Sequence, residues 1–261
     1  MKLYLKVIQF NFARLMVYPL EVLAQGFKRF ISVFFFILLW ISINNSSNGN
    51  FDIRSIIAYY LISNGINEIV GARYSDAGSL LGKSMIKNGE INALLIKPLN
   101  ILPYVYSISI GRIGVRILIS IIFIIVGLFI SPPSNVFGLF SGIVLISLAT
   151  VISFSVATIE GLLFIYFTDA EGLRSSINHF KSLFGGIYIP LYFFPQAIRG
   201  AIEVTPFACM VYVPTIAFKF TEINADFIKY FTFSVFWAVI ISVFTFYFWK
   251  FSRKKYEAIG I

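Results

Sequence analysis

Long apolar segments recur along this chain, and they constrain its fold more than any other feature. Of its 261 residues, 58% are hydrophobic and only 13% are charged, whereas a soluble domain usually carries about 25% charged residues. One soluble core could not hide so much apolar surface, and lipid is the natural solvent for it. The sequence therefore predicts an all-α integral membrane protein, with one transmembrane domain over residues 1–261.

Six transmembrane helices are predicted, separated by polar, charged or Pro-rich stretches. Their predicted bounds are 20–43, 53–72, 108–130, 136–160, 177–194 and 229–250. The third is expected to follow an interfacial start, and the fifth is expected to bend at Gly185–Gly186. These bounds leave short loops and no soluble domain on either side.

The two remaining stretches are predicted to lie at the membrane surfaces. Residues 1–19 have Lys2 and Lys6 on one face and apolar residues on most of the other, which predicts an N-terminal amphipathic elbow helix. Residues 195–226, named here the outer segment, hold short apolar pieces interrupted by prolines. We predict short outer-leaflet, re-entrant helices there, packed against protein so that their backbone ends are satisfied.

The distribution of basic residues predicts the orientation. With the N-terminus inside, only Arg54, Arg199, Lys219 and Lys229 fall on the outer side. Because basic residues concentrate on the cytoplasmic side of membrane proteins, both termini are expected to be cytoplasmic. The net charge of +9 is therefore interpreted as a sign of topology, and no nucleic-acid partner is expected.

Polar residues inside the predicted spans point inward, away from lipid. Asn64 and Glu68 lie four residues apart on one face of the second span, with Asn67 beside them. Hydrogen bonding between helices and contact with a substrate both remain open for this face. Near the inner interface, Arg112 and Arg116 fall opposite Glu160 on the adjacent antiparallel span. We predict a structural ion pair between Glu160 and one of these two arginines.

The sequence shows no complete motif for nucleotide binding, metal binding or catalysis. The run from Gly78 to Ser84 resembles a phosphate-binding loop, but it has three residues between its glycines where that loop needs four. It also follows a membrane helix, whereas the loop requires a preceding strand. The chain has one His and one Cys, and they lie in different segments. We expect no catalytic residue, no metal and no cofactor on this chain.

Residues 74–100, named here the coupling segment, carry repeated charge between two apolar spans. Leu80, Leu81, Met85 and Ile86 alternate with Lys83 and Lys87 at helical spacing, and Gly89 and Glu90 follow. An amphipathic hairpin of this kind could be seated in a groove of a cytoplasmic partner. A helix that lies on the membrane surface without a partner is equally compatible with the pattern.

Two of these stretches carry a resemblance to a known family. The run NGEINALLIKPLN, residues 88–100, resembles the G-E-h-x-x-h-L-h-K-P-h segment between spans two and three of ABC type-two exporter permeases. The run TPFACMVYVP, residues 205–214, resembles the PF-x-x-h-x-Y-x-P segment before their last span. The C-terminal WKFSRKKYEAIGI resembles their basic-aromatic end, although it closes on Ile-Gly-Ile where the group often has a Gly pair.

The resemblance implies a non-catalytic permease subunit of about 260 residues in the inner membrane of a bacterium. It implies two separate ABC ATPase subunits, which hold the ATP and Mg, and a second permease that is identical or a sister chain. A cytoplasmic coupling helix would lie between spans 2 and 3, and spans 2 and 5 would line the cavity. The few buried charges favour an amphipathic or hydrophobic cargo, such as a drug, a peptide or a lipid-like molecule.

The resemblance also assigns residues. The coupling assignment is to Lys87, Gly89, Glu90, Lys97 and Pro98, and the outer gate assignment is to Pro206, Phe207, Tyr212 and Pro214. No motif marks the translocation pathway, for which the candidates are Asn64, Asn67, Tyr188 and Phe193.

Two rival classes remain open. A secondary transporter would usually show internal repeats and paired ionisable residues at mid-membrane, and neither is evident here. A membrane enzyme or scaffold without an ATPase partner is the other alternative.

Overall fold

The computed structural model describes residues 2–46, 52–167 and 169–256, with only the backbone described for 21, 22, 25 and 72–75. All regular structure in these ranges is helical. The helices are α1 (Lys2–Met16), α2 (Pro19–Ser46), α3 (Ile53–Ser79), α4 (Asn92–Leu95), α5 (Ile101–Arg112), α6 (Gly114–Ile130), α7 (Val136–Leu162), α8 (Glu171–Phe184), α9 (Gln196–Glu203), α10 (Pro206–Met210), α11 (Tyr212–Ala217) and α12 (Ala225–Lys255). A π-helix, Leu80–Lys87, continues α3, and 3₁₀ turns cover Leu163–Ile165 and Leu191–Phe193. The terminal Ile-Gly-Ile lies outside the described residues.

Three helical stretches of the described chain are long and apolar enough to cross a membrane. They are Gly26–Ser46, Val136–Ile165 and Ala225–Lys255. The pair formed by α5 and α6 makes a fourth if the two are counted as one bent span. These findings confirm an all-helical, multi-pass membrane protein, and the full six-span layout stays a prediction.

The third predicted span is bent by 64° between α5 and α6. Helix α1 packs against this corner: a Cβ added to Gly111 would lie 2.6 Å from Asn11 Cβ, and one added to Gly114 would lie 2.3 Å from the Phe12 ring. The two glycines therefore allow the amphipathic helix to approach the bend closely. The location of α1 on a membrane surface stays a prediction.

Within the predicted fifth span, 177–194, helix α8 ends at Phe184, next to the Gly185–Gly186 pair where a bend is expected. Gly186 has a positive φ of 73°, and a Cβ there would lie 2.6 Å from the Tyr59 hydroxyl. The Tyr59 hydroxyl instead donates a hydrogen bond to the Gly186 carbonyl at 2.8 Å. The helix ends because glycine can take the left-handed conformation and because Tyr59 satisfies the freed carbonyl.

Helices α3, α7, α10, α11 and α12 supply most of the largest hydrophobic core. Helix α6 lies along α3, where Gly65 and Gly127 remove the side chains that would keep the two apart. A Cβ on Gly65 would lie 2.8 Å from the Ser120 carbonyl oxygen, and one on Gly127 would lie 3.1 Å from that of Ala58. Small residues at the crossing let membrane helices pack backbone to backbone.

Candidate coupling surface and translocation pathway

One face of the coupling segment is buried against the rest of the bundle. Leu81, Met85 and Ile86 of the π-helix, followed by Ile91, join a second core with residues of α5 and α7. Each of these four side chains is at most 3% exposed. The predicted apolar stripe is therefore a packing face toward this chain, and it is not free to lie in lipid.

Close glycine contacts hold this face against the end of α7. A Cβ on Gly82 would lie 2.4 Å from the Phe164 ring, and one on Gly161 would lie 2.9 Å from Leu81 Cβ. Two helical stretches that touch at this distance cannot slide past each other without moving both backbones. The coupling segment is thus mechanically continuous with α7 as well as with α3.

The opposite face is exposed and charged. It presents Lys83, Lys87, Glu90, Lys97 and Pro98, together with Ile96, whose side chain is 84% exposed. Lys83 Nζ lies 3.8 Å from a Glu171 carboxylate oxygen, and Lys87 Nζ lies 4.0 Å from one of Asp169. Exposed pairs at such distances contribute little to stability, so both lysines can exchange these partners for others.

Gly89 makes the turn that creates this surface. Its φ is 75°, a conformation that side chains with a Cβ rarely adopt. The Gly89 N–H donates to the Ile86 carbonyl at 3.1 Å, and the Ile91 N–H donates to the Met85 carbonyl at 2.9 Å. This Gly-dependent helix end turns the chain into α4 and places Glu90 and Ile96 on the outside.

A groove adjoins the end of the coupling segment. It has a volume of about 670 Å³, and its lining includes Tyr4, Lys97, Pro98, Trp249 and Arg253. Residues from α1, the coupling segment and α12 therefore meet at one place. The predicted coupling residues Lys97 and Pro98 are thus next to the C-terminal end of the last long helix.

The pathway candidates Tyr188 and Phe193 join α2 and α3 through an aromatic cluster. Trp40 Nε1 donates to the Tyr60 hydroxyl at 2.6 Å, which donates to the Tyr188 carbonyl at 2.6 Å. Phe193 stacks on Trp40 with 4.6 Å between ring centroids. This cluster ties the turn after α8 to both helices, and Tyr188 keeps an exposed ring.

The amides of α3 lie further along the same helix. Asn64 is buried, and its side-chain amide donates to the Tyr60 carbonyl at 2.8 Å. Asn67 has a buried Oδ1 with no hydrogen-bond partner among the described residues. The structure therefore places Asn64 one helical turn from the aromatic cluster and leaves Asn67 with an unused acceptor.

The middle of the outer segment, residues 206–218, packs inside the bundle. Tyr212 and Pro214 are buried, and Pro206 and Phe207 are half-buried. Ser141 of α7 donates to the Ala217 carbonyl at 2.7 Å. These contacts agree with the need of re-entrant helices to satisfy their backbone groups within protein.

A cluster of charged side chains lies next to Tyr212 of the outer segment. Glu203 accepts hydrogen bonds from Arg199 Nε at 2.6 Å and from Lys229 Nζ at 2.9 Å. Burial alone would raise the pKa of Glu203, but the hydrogen bonds from Lys229 and Arg199 lower it below its ordinary value. The carboxylate thus joins α9 to the start of α12.

The charged residues around the predicted ion pair also attract other partners. Arg112 and Arg116 attract Asp76 of α3, whereas Glu160 attracts Lys181 of α8. The predicted pair between Glu160 and Arg112 or Arg116 stays a prediction beside these two attractions.

Sequence reasoning also missed several participants. Trp40 and Tyr59 lie within predicted spans without an assigned role, and the sequence does not predict the pairing of Glu203 with Lys229. An isolated charge or a tyrosine doublet within an apolar run would have been a usable signal, since buried polar groups need partners. The identity of each partner depends on helix packing and could not be read from spacing.

Comparison with known proteins identifies the family of this chain. Residues 28–260 match the family described as ABC-2 family transporter protein. A search of curated proteins gave no match. Because the match covers nearly the whole chain and agrees with the multi-pass helical architecture, this protein belongs to the ABC-2 transporter family.

Proposed function

We propose that the chain is the permease subunit of an ATP-driven exporter and that it transmits force through the coupling segment. The observation that carries this proposal is the two-sided character of that segment. One face is buried against α5 and α7, and the other presents Lys87, Glu90, Ile96 and Lys97 to the exterior. A partner protein that binds the exposed face would therefore move the transmembrane helices when it moves.

Two ABC ATPase subunits, which bind ATP and Mg, are the proposed partners, together with a second permease chain. ATP-driven closure of the ATPases would push the two coupling segments together. Such a shift requires that the ATP-bound assembly prefer one state of the permease. The family match supports an ABC system with ATPase partners, and the proposed number of subunits comes from the exporter resemblance.

The proposed cargo is amphipathic or hydrophobic, and the proposed pathway includes Asn64, Asn67, Tyr188 and Phe193. The aromatic rings around Trp40 and Tyr60 support this, because such rings offer apolar surface with a few hydrogen-bonding groups. The concentration of Lys and Arg on one side supports a cytoplasmic location of both termini in a bacterial inner membrane.

The test compares two exposed glutamates at opposite ends of the bundle. Glu90→Lys, in the coupling segment, should reduce co-purification of the ATPase and its cargo-stimulated ATP turnover by about tenfold, as expected when a charged contact is lost. Glu222→Lys, exposed in the outer segment, should leave both unchanged. An intact complex with normal turnover in Glu90→Lys would contradict the coupling assignment.

A further inference from the structure

A second groove lies between α2, α3 and α6, away from the coupling surface and the aromatic cluster. Its volume is about 550 Å³. The polar side chains in its lining are Lys28, Arg29, Ser32, Glu68 and Arg116, with Gly26 and Ile119 completing it. Three basic groups therefore face one acidic group.

Only part of this positive charge is neutralised within the chain. Glu68 forms its ion pair with Arg29. Lys28 is exposed and forms no ion pair among the described residues. Arg116 Nε is buried and has no hydrogen-bond partner in the described part of the chain, although Asp76 attracts the guanidinium. A buried donor without an acceptor is costly, so the groove is suited to a group with anionic oxygens.

The groove lies at one boundary of the apolar region. Lys28 and Arg29 fall in the first turn of the apolar stretch Gly26–Ser46, and Arg116 falls in the first turn of α6. Basic side chains at the ends of membrane helices reach toward the headgroup layer. Side chains as long as these three, at this end of the apolar stretches, can reach the phosphate layer of the lipid.

Apolar residues flank the groove on its lipid-facing sides. Phe27 and Phe30 of α2 are largely exposed, as is Leu118 of α6. An acyl chain could lie along these residues while its headgroup remained in the groove. A zwitterionic headgroup fits less well, because the carboxylate that would receive its ammonium group, Glu68, is already paired with Arg29.

We propose that this groove binds the phosphate of an anionic phospholipid from the adjacent leaflet. Lys28 and Arg116 donate to the phosphate oxygens, Arg29 stays on Glu68, and the acyl chains lie against α2 and α6. The proposal rests on the multi-pass membrane placement alone and is independent of export, of the ATPase and of the cargo.

The experiment is native mass spectrometry of the purified chain, titrated with phosphatidylglycerol or phosphatidylcholine of equal chain length. The wild-type protein should retain one phosphatidylglycerol at concentrations where phosphatidylcholine is lost. Arg116→Gln should weaken that retention about tenfold and Lys28→Gln about fivefold, as expected for one charge-assisted hydrogen bond and one surface charge. Lys254→Gln, an exposed basic residue of α12 outside the groove, should leave it unchanged.

Each other outcome overturns the proposal. Equal retention of the two lipids would remove the charge preference, and competition by millimolar inorganic phosphate would identify a free anion as the ligand. Because Lys28 is exposed, Lys28→Gln should fold even if Arg116→Gln does not, and unchanged binding in Lys28→Gln would exclude the assigned donor. Glu68→Gln frees Arg29 and should strengthen phosphatidylglycerol binding; a weaker signal would contradict the assigned roles.

Discussion

The coupling segment and the outer segment both consist of short helical pieces, and they pack at opposite ends of α7. They differ in how much of their surface is exposed. The coupling segment buries one face and exposes Glu90, Ile96 and Lys97. In the outer segment, the residues from Ala208 to Val213 are at most 1% exposed. The difference indicates that one motif leaves an exposed, charged surface, which we propose as a partner site, whereas the other specifies internal packing.

The largest expected effect on stability lies in the outer segment. Tyr212 is 1% exposed, and Tyr212→Ala would leave a cavity beside Tyr59 of α3 and Gly186, costing about 3–5 kcal/mol. Thermal unfolding in detergent should show this loss. Tyr247→Ala, at a position that is 63% exposed on α12, is the matched control and should change the midpoint little. Equal thermal unfolding midpoints for the two variants would contradict the role of Tyr212 in internal packing.

A smaller effect is expected for the charged cluster of the outer segment. Glu203→Gln should cost about 1–3 kcal/mol, because it weakens two charge-assisted hydrogen bonds to Arg199 and Lys229. The folded protein holds the pKa of Glu203 below its ordinary value of 4.5. The stabilisation is therefore complete above about pH 4.5 and is lost as the pH falls through the lowered pKa of the folded protein.

Unfolding measured from pH 7 to pH 3 checks this sign. The stability difference between the wild-type protein and Glu203→Gln should be constant near neutral pH and should shrink in the acid range. A difference that grows on acidification would show that the carboxylate is not the stabilising form.

The smallest stability effect, and a large functional one, is expected at Ile96. Ile96→Asp changes an 84% exposed side chain and should alter the free energy of unfolding by less than about 0.5 kcal/mol. Burial of Ile96 in a partner groove would nevertheless make the added charge costly, so co-purification of the ATPase should fall. Ile223→Asp, exposed at the opposite end, is the control, and equal ATPase recovery from both variants would contradict the docking role.

The sequence specified the elements whose signal is local. The apolar runs predict helices where the structure has α2, α7 and α12, because a continuous apolar stretch can only be stable in lipid as a helix. The positive φ at Gly89 shows why a glycine suits this position of the predicted hairpin. Glu90 and Lys97 are exposed.

The sequence does not predict features that depend on packing between distant segments. Just after α8, the Gly186 carbonyl accepts a hydrogen bond from the Tyr59 hydroxyl, which lies 127 positions earlier in the chain. The 64° bend between α5 and α6 has a direction that spacing along the chain does not encode. The continuation of α3 into a π-helix likewise reflects contacts with Phe164 and Gly161.

That continuation gives α3 and the π-helix one uninterrupted path from Ile53 to Lys87, roughly 50 Å long at the rise per residue of a helix. Helix α6 packs closely on this path both at Gly65 and at Ala58, so the stretch that carries Tyr59 and Tyr60 is bound to α6 on either side. A displacement at Lys87 would therefore reach the aromatic cluster only if α6 moved together with α3.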